Sequence, residues 1–219
     1  MLAEFHARMR LSLMRGDALE KADVIFVLAG HRNRKVYAAE LFGQGWASSV
    51  LMSTTNPAYI AQVLLNDPKT RERCGKAILQ DLEGAARQPQ PRTGHYFAFA
   101  DAKRWRVERI SAGVFGTLKE VRALGKWLCR TPEAREILVV SAAMHLRRVE
   151  ACCRKLLPAE RSVRMIAVPE EETNREGTKR EETRSGAGLA EVRKTMVECG
   201  KLSAYAAILV GVRRPRCKE

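Results

Sequence analysis

The stretch Ile137-Leu-Val-Val-Ser-Ala-Ala-Met-His-Leu-Arg-Arg148 decides the fold. An apolar run of strand length stops at Ser141. It gives way at once to His145, Arg147 and Arg148, which open a helical pattern. A short strand that is apolar throughout is one buried on both faces, as in a parallel sheet covered by helices. The junction that follows such a strand is where an open α/β sheet holds its ligands, outside the carboxyl ends of the strands. A helix N-terminus adds free N–H groups and a partial positive charge. A histidine and arginines at that place point to a phosphate or a carboxylate.

The same alternation extends in both directions. Ala22-Asp-Val-Ile-Phe-Val-Leu-Ala-Gly30 reads as a strand ending in a glycine turn, and Val36, Ala39 and Phe42 then recur at helical spacing up to Gly43. Ser49–Ser53 is a second strand. Asn56 caps and Pro57 opens a helical region with a break near Asp67-Pro68, reaching about Ala86. After the loop Gln88–Gly94, Tyr96–Ala100 reads as a third strand and Val107–Ile110 as a short fourth. The turn Ser111–Thr117 leads to a helix that ends near Cys129, with Thr117 expected as its cap and Glu120 as the partner in a capping box. Strand Ile137–Val140, helix His145–Leu157, strand Val163–Val168 and a final helix from about Leu189 to Leu209 complete the order. A polar loop, Pro169–Gly186, is expected to be a solvated connector, with a functional lid as the alternative. Strands alternating with helices predict a mostly parallel sheet with helices on both faces. Right-handed crossovers then place Gly30, Ser53, Thr117 and the turn Ser141–Arg148 along one edge.

Composition bounds the rest. The 219 residues suit a single α/β domain, with a basic tail over residues 212–219. No apolar stretch nears the roughly 20 residues that cross a bilayer, and charged residues interrupt the N-terminus, so a soluble cytoplasmic chain is expected. The six cysteines form no CxxC pair and are expected as reduced structural thiols, with no metal site. The net charge of +14 favours anionic partners. The basic residues are scattered, however, and no basic–aromatic platform is present, which argues against nucleic acid as the main partner.

Individual residues carry the chemistry. His145 is the candidate catalytic residue, because imidazole titrates near neutrality. Arg148 and Arg34 offer planar forks for a phosphate or carboxylate, with Arg32 and Lys35 as alternatives to Arg34. Gly30 permits a tight turn or close backbone approach. Ser53, Thr117, Glu120 and Ser141 are further ligand-binding candidates at strand ends and helix starts. Asp101, after the third strand, is a weaker one, whereas Asp23 lies at the opposite edge and reads as structural. The absence of GxGxxG argues against a dinucleotide, and the absence of G-x-S-x-G against a serine hydrolase.

Four pieces of sequence resemble the bacterial YdcF/SanA/ElyC-like domain family over about residues 20–210. They are Ala22–Gly30 with Arg34, Ala38, Leu41 and Gly45; Gly116-Thr-Leu-Lys-Glu120; Val139-Val-Ser-Ala-Ala-Met-His-Leu-Arg-Arg148; and Glu198-Cys-Gly-Lys201 with Tyr205. The resemblance implies a Rossmann-like three-layer α/β/α sandwich, a role in cell-envelope and peptidoglycan-precursor physiology, and S-adenosylmethionine as a candidate cofactor. It implies no firm reaction. The expected function is binding of a phosphate-bearing small molecule, an envelope precursor or nucleotide-like ligand, with catalysis left open. The alternatives are a non-enzymatic S-adenosylmethionine or nucleotide-binding regulator, and a nucleic-acid binder.

Overall fold

The structure, a computed structural model, describes residues 16–89, 94–110, 116–169, 184–210 and 212, with side chains of the last helix from residue 192 onward. Six strands form one sheet in the order β4-β3-β2-β1-β5-β6. They are β1 (Ala22–Val27), β2 (Ala47–Thr54), β3 (His95–Asp101), β4 (Trp105–Ile110), β5 (Glu136–Ser141) and β6 (Ser162–Ala167). The helices are α1 (Arg32–Gly43), α2 (Pro57–Asn66), α3 (Pro68–Arg73), α4 (Lys76–Arg87), α5 (Thr117–Cys129), α6 (Leu146–Leu156) and α7 (Arg184–Leu209), with a 3-10 turn at Ala143–His145 before α6.

The continuous apolar run of β1 does what such a run must do. Val24 and Phe26 face a core shared with α5 and α6, while Ile25 and Val27 face a second core shared with α1, α2 and α4. All four are fully buried. Two cores on opposite faces of one sheet make the three-layer, Rossmann-like sandwich. Asn56 and Asp67 cap α2 and α3, accepting from the N–H of Tyr59 and Thr70. Asp23 holds the opposite edge together, its Oδ2 accepting from the N–H groups of Arg135 and Glu136.

Strands β1, β2, β5 and β6 are mutually parallel, but β3 is antiparallel to both β2 and β4. The cause lies in the connection. Helices α2 and α4 pack on each other and return the chain to the edge it left, so β3 starts where β2 ends. Asp101 therefore sits at the opposite edge, level with Ser49, and does not face the crevice. His95, at the other end of β3, does stand at the carboxyl edge.

The capping box is also corrected. Helix α5 starts at Thr117 with Gly116 as its cap residue, and no side chain caps it. Glu120 instead reaches across to the end of β1, where its Oε1 accepts from the N–H of Ala29 at 2.6 Å. A strand-end N–H without a ladder partner is the stronger claim on a buried carboxylate. The thiol expectation holds for Cys74, Cys152, Cys153 and Cys199, which are free, and fails for Cys129, which is disulfide-bonded. Burial pushes Cys152 up to about 12, and Cys153 higher still with Cys152 beside it, so neither is a nucleophile. No described helix is long and apolar enough to cross a membrane. Residues 170–183 of the expected loop, residues 1–15, the turn 111–115 and residues 213–219 of the tail lie outside the described residues, and residues 184–186, expected in that loop, belong to α7.

Candidate functional site

The strand order reverses at β1. From there the chain passes to β2 on one side and later to β5 on the other, with Val27 level with Val140. Helix α1 leaves β1 over one face and α6 leaves β5 over the other. The two connections part and leave a crevice at the carboxyl ends of β1 and β5. A cleft of about 980 Å³ occupies it, with Arg34, Met144, His145, Val168, Glu198 and Lys201 among its walls.

Gly30 makes the β1–α1 turn with φ +124°, a conformation glycine takes without strain. Gly30→Ala should therefore cost about 1–3 kcal/mol of stability, measurable by urea unfolding. The three cations considered around this turn go to different places. Arg32 is exposed, its guanidinium 5.8 Å from the Tyr59 ring. Lys35 is buried, with Nζ donating to the carbonyls of Leu28 and Ser53 at 2.7 Å each. Burial, only partly opposed by Glu120, lowers it to about 7. Arg34 alone faces the crevice. Its one polar contact is long, 3.4 Å from Nη1 to the Ala29 carbonyl, and its Nε is buried without a partner. Among the described residues no carboxylate pairs with it.

Across the crevice, His145 closes the 3-10 turn and Arg148 lies one turn into α6. Both meet Glu198 of α7. Its Oε2 is 3.0 Å from His145 Nδ1 and 2.9 Å from Arg148 Nη1, and its Oε1 accepts from Lys201 Nζ at 2.8 Å. The Arg148 guanidinium also stands 5.5 Å from the Tyr205 ring. Burial holds His145 below its ordinary value; Glu198 opposes this, and Arg34 and Arg148 reinforce it. Burial works to raise Glu198, but Lys201, His145 and Arg148 together hold it below the usual carboxylate range. At neutral pH the cluster is thus a neutral imidazole, an ionised Glu198 and the cations Arg34, Arg148 and Lys201. It remains cationic after its internal carboxylate is counted.

One further feature suits an anion. Helix α1 has no side-chain cap and no acidic residue in its first turn, and the same holds at the start of the 3-10 turn and of α6. Ser141, 1% exposed at the end of β5, has an Oγ without a hydrogen-bond partner among the described residues, but it is not among the cleft walls.

The remaining candidates form a separate layer beneath. Ser53 Oγ and His95 Nε2 are 2.6 Å apart, His95 Nε2 is 3.8 Å from Glu120 Oε1, and Thr117 is buried at the α5 start. These groups tie β1, β2, β3 and α5 together below the crevice and do not line the cleft. Burial, with Lys35 adding to it, lowers His95 to about 4. Between pH 6.5 and about 4 the unfolded chain takes up a proton that the folded chain refuses. Stability should therefore fall on acidification through that window, by up to about 1.4 kcal/mol per pH unit, and His95→Gln should flatten this part of the profile.

A second cleft of about 780 Å³ lies at the opposite edge, floored by Phe97, Phe99 and Trp127. Its charges balance, Asp23, Asp101, Glu108 and Glu133 against Lys103, Arg104, Arg106 and Arg130, with Arg104 paired to Asp101 and Arg130 to Glu108. It therefore exerts little pull on an anion. No protein-family model, curated protein or solved structure matches the chain.

Proposed function

We propose that the protein binds a phosphate-bearing small molecule in the crevice between β1 and β5. One observation carries this reading. Arg34 is a half-buried cation in no ion pair with a carboxylate among the described residues, set at the uncapped start of α1 and lining the same cleft as His145, with Arg148 behind that wall on Glu198. Burial lowers the pKa of its guanidinium and Arg148 adds to this, against the opposing fields of Glu120 and Glu198, neither of which forms an ion pair with it; the balance stays on the lowering side, so the site gains by taking up a negative charge. The fork of Arg34 and the first N–H groups of α1 hold the anion, and Arg148 and Lys201 supply field from behind. The apolar walls, Met144, Val168 and Val197, accept a non-ionic part of the ligand. The resemblance to the YdcF/SanA/ElyC-like family supports phosphate-bearing envelope precursors or nucleotide-like molecules as the class to test.

Thermal unfolding in the presence of phosphate, pyrophosphate, S-adenosylmethionine and duplex DNA tests the reading. A ligand that binds the native state raises Tm with the logarithm of its concentration. Phosphate and pyrophosphate should do so, and S-adenosylmethionine should not. DNA binding as tight as that of the phosphates, with a steep salt dependence, would replace the proposal by a polyanion-binding one.

A further inference from the structure

A passive anion site presents donors to its ligand. The histidine in this cleft is turned the other way. Its Nδ1 is fully buried and stands 3.0 Å from Glu198 Oε2, within ion-pair distance but outside hydrogen-bond geometry. A bare Nδ1 would set lone pair against carboxylate, so the proton of the neutral ring belongs on Nδ1. That leaves Nε2 as an unprotonated acceptor on the opposite edge of a ring that lines the cleft and is 28% exposed. An acceptor lone pair beside a bound phosphate is favourable only if a proton lies between them. Water, or a hydroxyl group, supplies one.

We propose that His145 and Glu198 form a general-base dyad and that the cleft hydrolyses a phosphoanhydride, a deeper claim that rests on the anion reading above. Glu198 is the positioning residue, fixing the tautomer of His145. Arg148 and Lys201, bound to the same carboxylate, fix Glu198 in turn. His145 is the catalytic residue. Its Nε2 takes a proton from water as the water oxygen bonds to phosphorus. The bond from that phosphorus to the bridging oxygen breaks, and the bridging oxygen keeps the electron pair. The departing phosphate is a stable anion at neutral pH, so the step requires no proton donor, and the proton on His145 passes to solvent. An anhydride also fits the charge layout. Arg34 stands on the α1 wall and Arg193 and Lys194 on the α7 wall of the cleft that His145 also lines, which gives cations for two phosphoryl groups. Burial keeps the imidazole in its neutral, basic form down to pH values below the ordinary histidine range.

The test uses the whole chain with inorganic pyrophosphate as the probe and two readouts: nitrogen NMR of its labelled histidines and release of orthophosphate. The dyad predicts an Nδ1–H tautomer for His145 before any ligand is added, a measurement that requires no variant. It predicts orthophosphate release that rises with pH through a value below 6.5 and then levels, a loss of about 100-fold or more in His145→Gln, and a loss of about tenfold or more in Glu198→Gln, each with pyrophosphate still bound. Glu198→Asp, which keeps the charge but withdraws it from Nδ1, should fall between. A proton on Nε2 in the native protein, or bound pyrophosphate that is never cleaved, overturns the dyad and leaves the anion site standing. Failure of pyrophosphate to perturb His145 or raise Tm takes down both.

Discussion

Glu198→Ala should destabilise the protein by about 3–5 kcal/mol, the largest stability effect expected of any single substitution at the crevice. The carboxylate is 7% exposed and meets Arg148, which is 13% exposed, together with His145 and Lys201. Removing it leaves a nearly buried guanidinium without its counter-charge, and that cost is larger than the worth of an intact pair. The same group joins α7 to α6 and to the 3-10 turn, so its loss should also free the last helix from the sandwich. The effect has a definite pH signature. Because Glu198 is held below its ordinary value, its contribution is present above the unfolded glutamate range. It is lost as pH falls through the lower folded value. Urea unfolding at pH 7 and pH 3 should show a large gap between native protein and Glu198→Ala at the first and a smaller one at the second. An equal gap at both would mean that packing, and not charge, is what Glu198 contributes.

Arg34→Gln should act in the opposite way, on binding and not on folding. Phosphate affinity should fall by about 30-fold, or roughly 2 kcal/mol, the worth of a charge-assisted contact in a partly dry site. Stability should hold or rise slightly, since a half-buried cation without a carboxylate partner is a net electrostatic cost to the native state. This pairing is what separates a binding residue from a structural one. Lys35 provides the contrast: it occupies two strand-end carbonyls, and Lys35→Met would leave both unsatisfied. Calorimetric titration with phosphate, read beside urea unfolding of each variant, distinguishes the two cases.

The architecture was legible where local pattern and burial agree. The apolar run Val24–Val27 and the stretch Ile137–Val140 are fully buried, as continuous apolar strands must be, and the junctions after them lie on the common edge that right-handed connections require. The direction of β3 was not legible from its own residues. It follows from α2 and α4, which pack on each other with the short α3 between them and return the chain to the edge it left, and that return decides that His95 and not Asp101 reaches the carboxyl edge. Glu120 was read as a cap because spacing within a helix is visible in sequence, whereas a claim by Ala29, far away along the chain, is not. Glu198 carried a signal that can be read in retrospect. Thr195, Glu198, Leu202, Tyr205 and Leu209 share one helical stripe, and an acid on the stripe that packs inward requires cations to meet it. The choice among Arg32, Arg34 and Lys35 depended on which side of one helical turn met the sheet, and only packing fixes that.

The most direct measurement is a crystal structure of the protein soaked in phosphate. Density is expected against the first turn of α1, between the Arg34 guanidinium and His145, with Glu198 still beside His145 Nδ1. Phosphate found only at the opposite edge beside Arg104 and Arg130, or Arg34 turned out into solvent with the crevice empty, would contradict it.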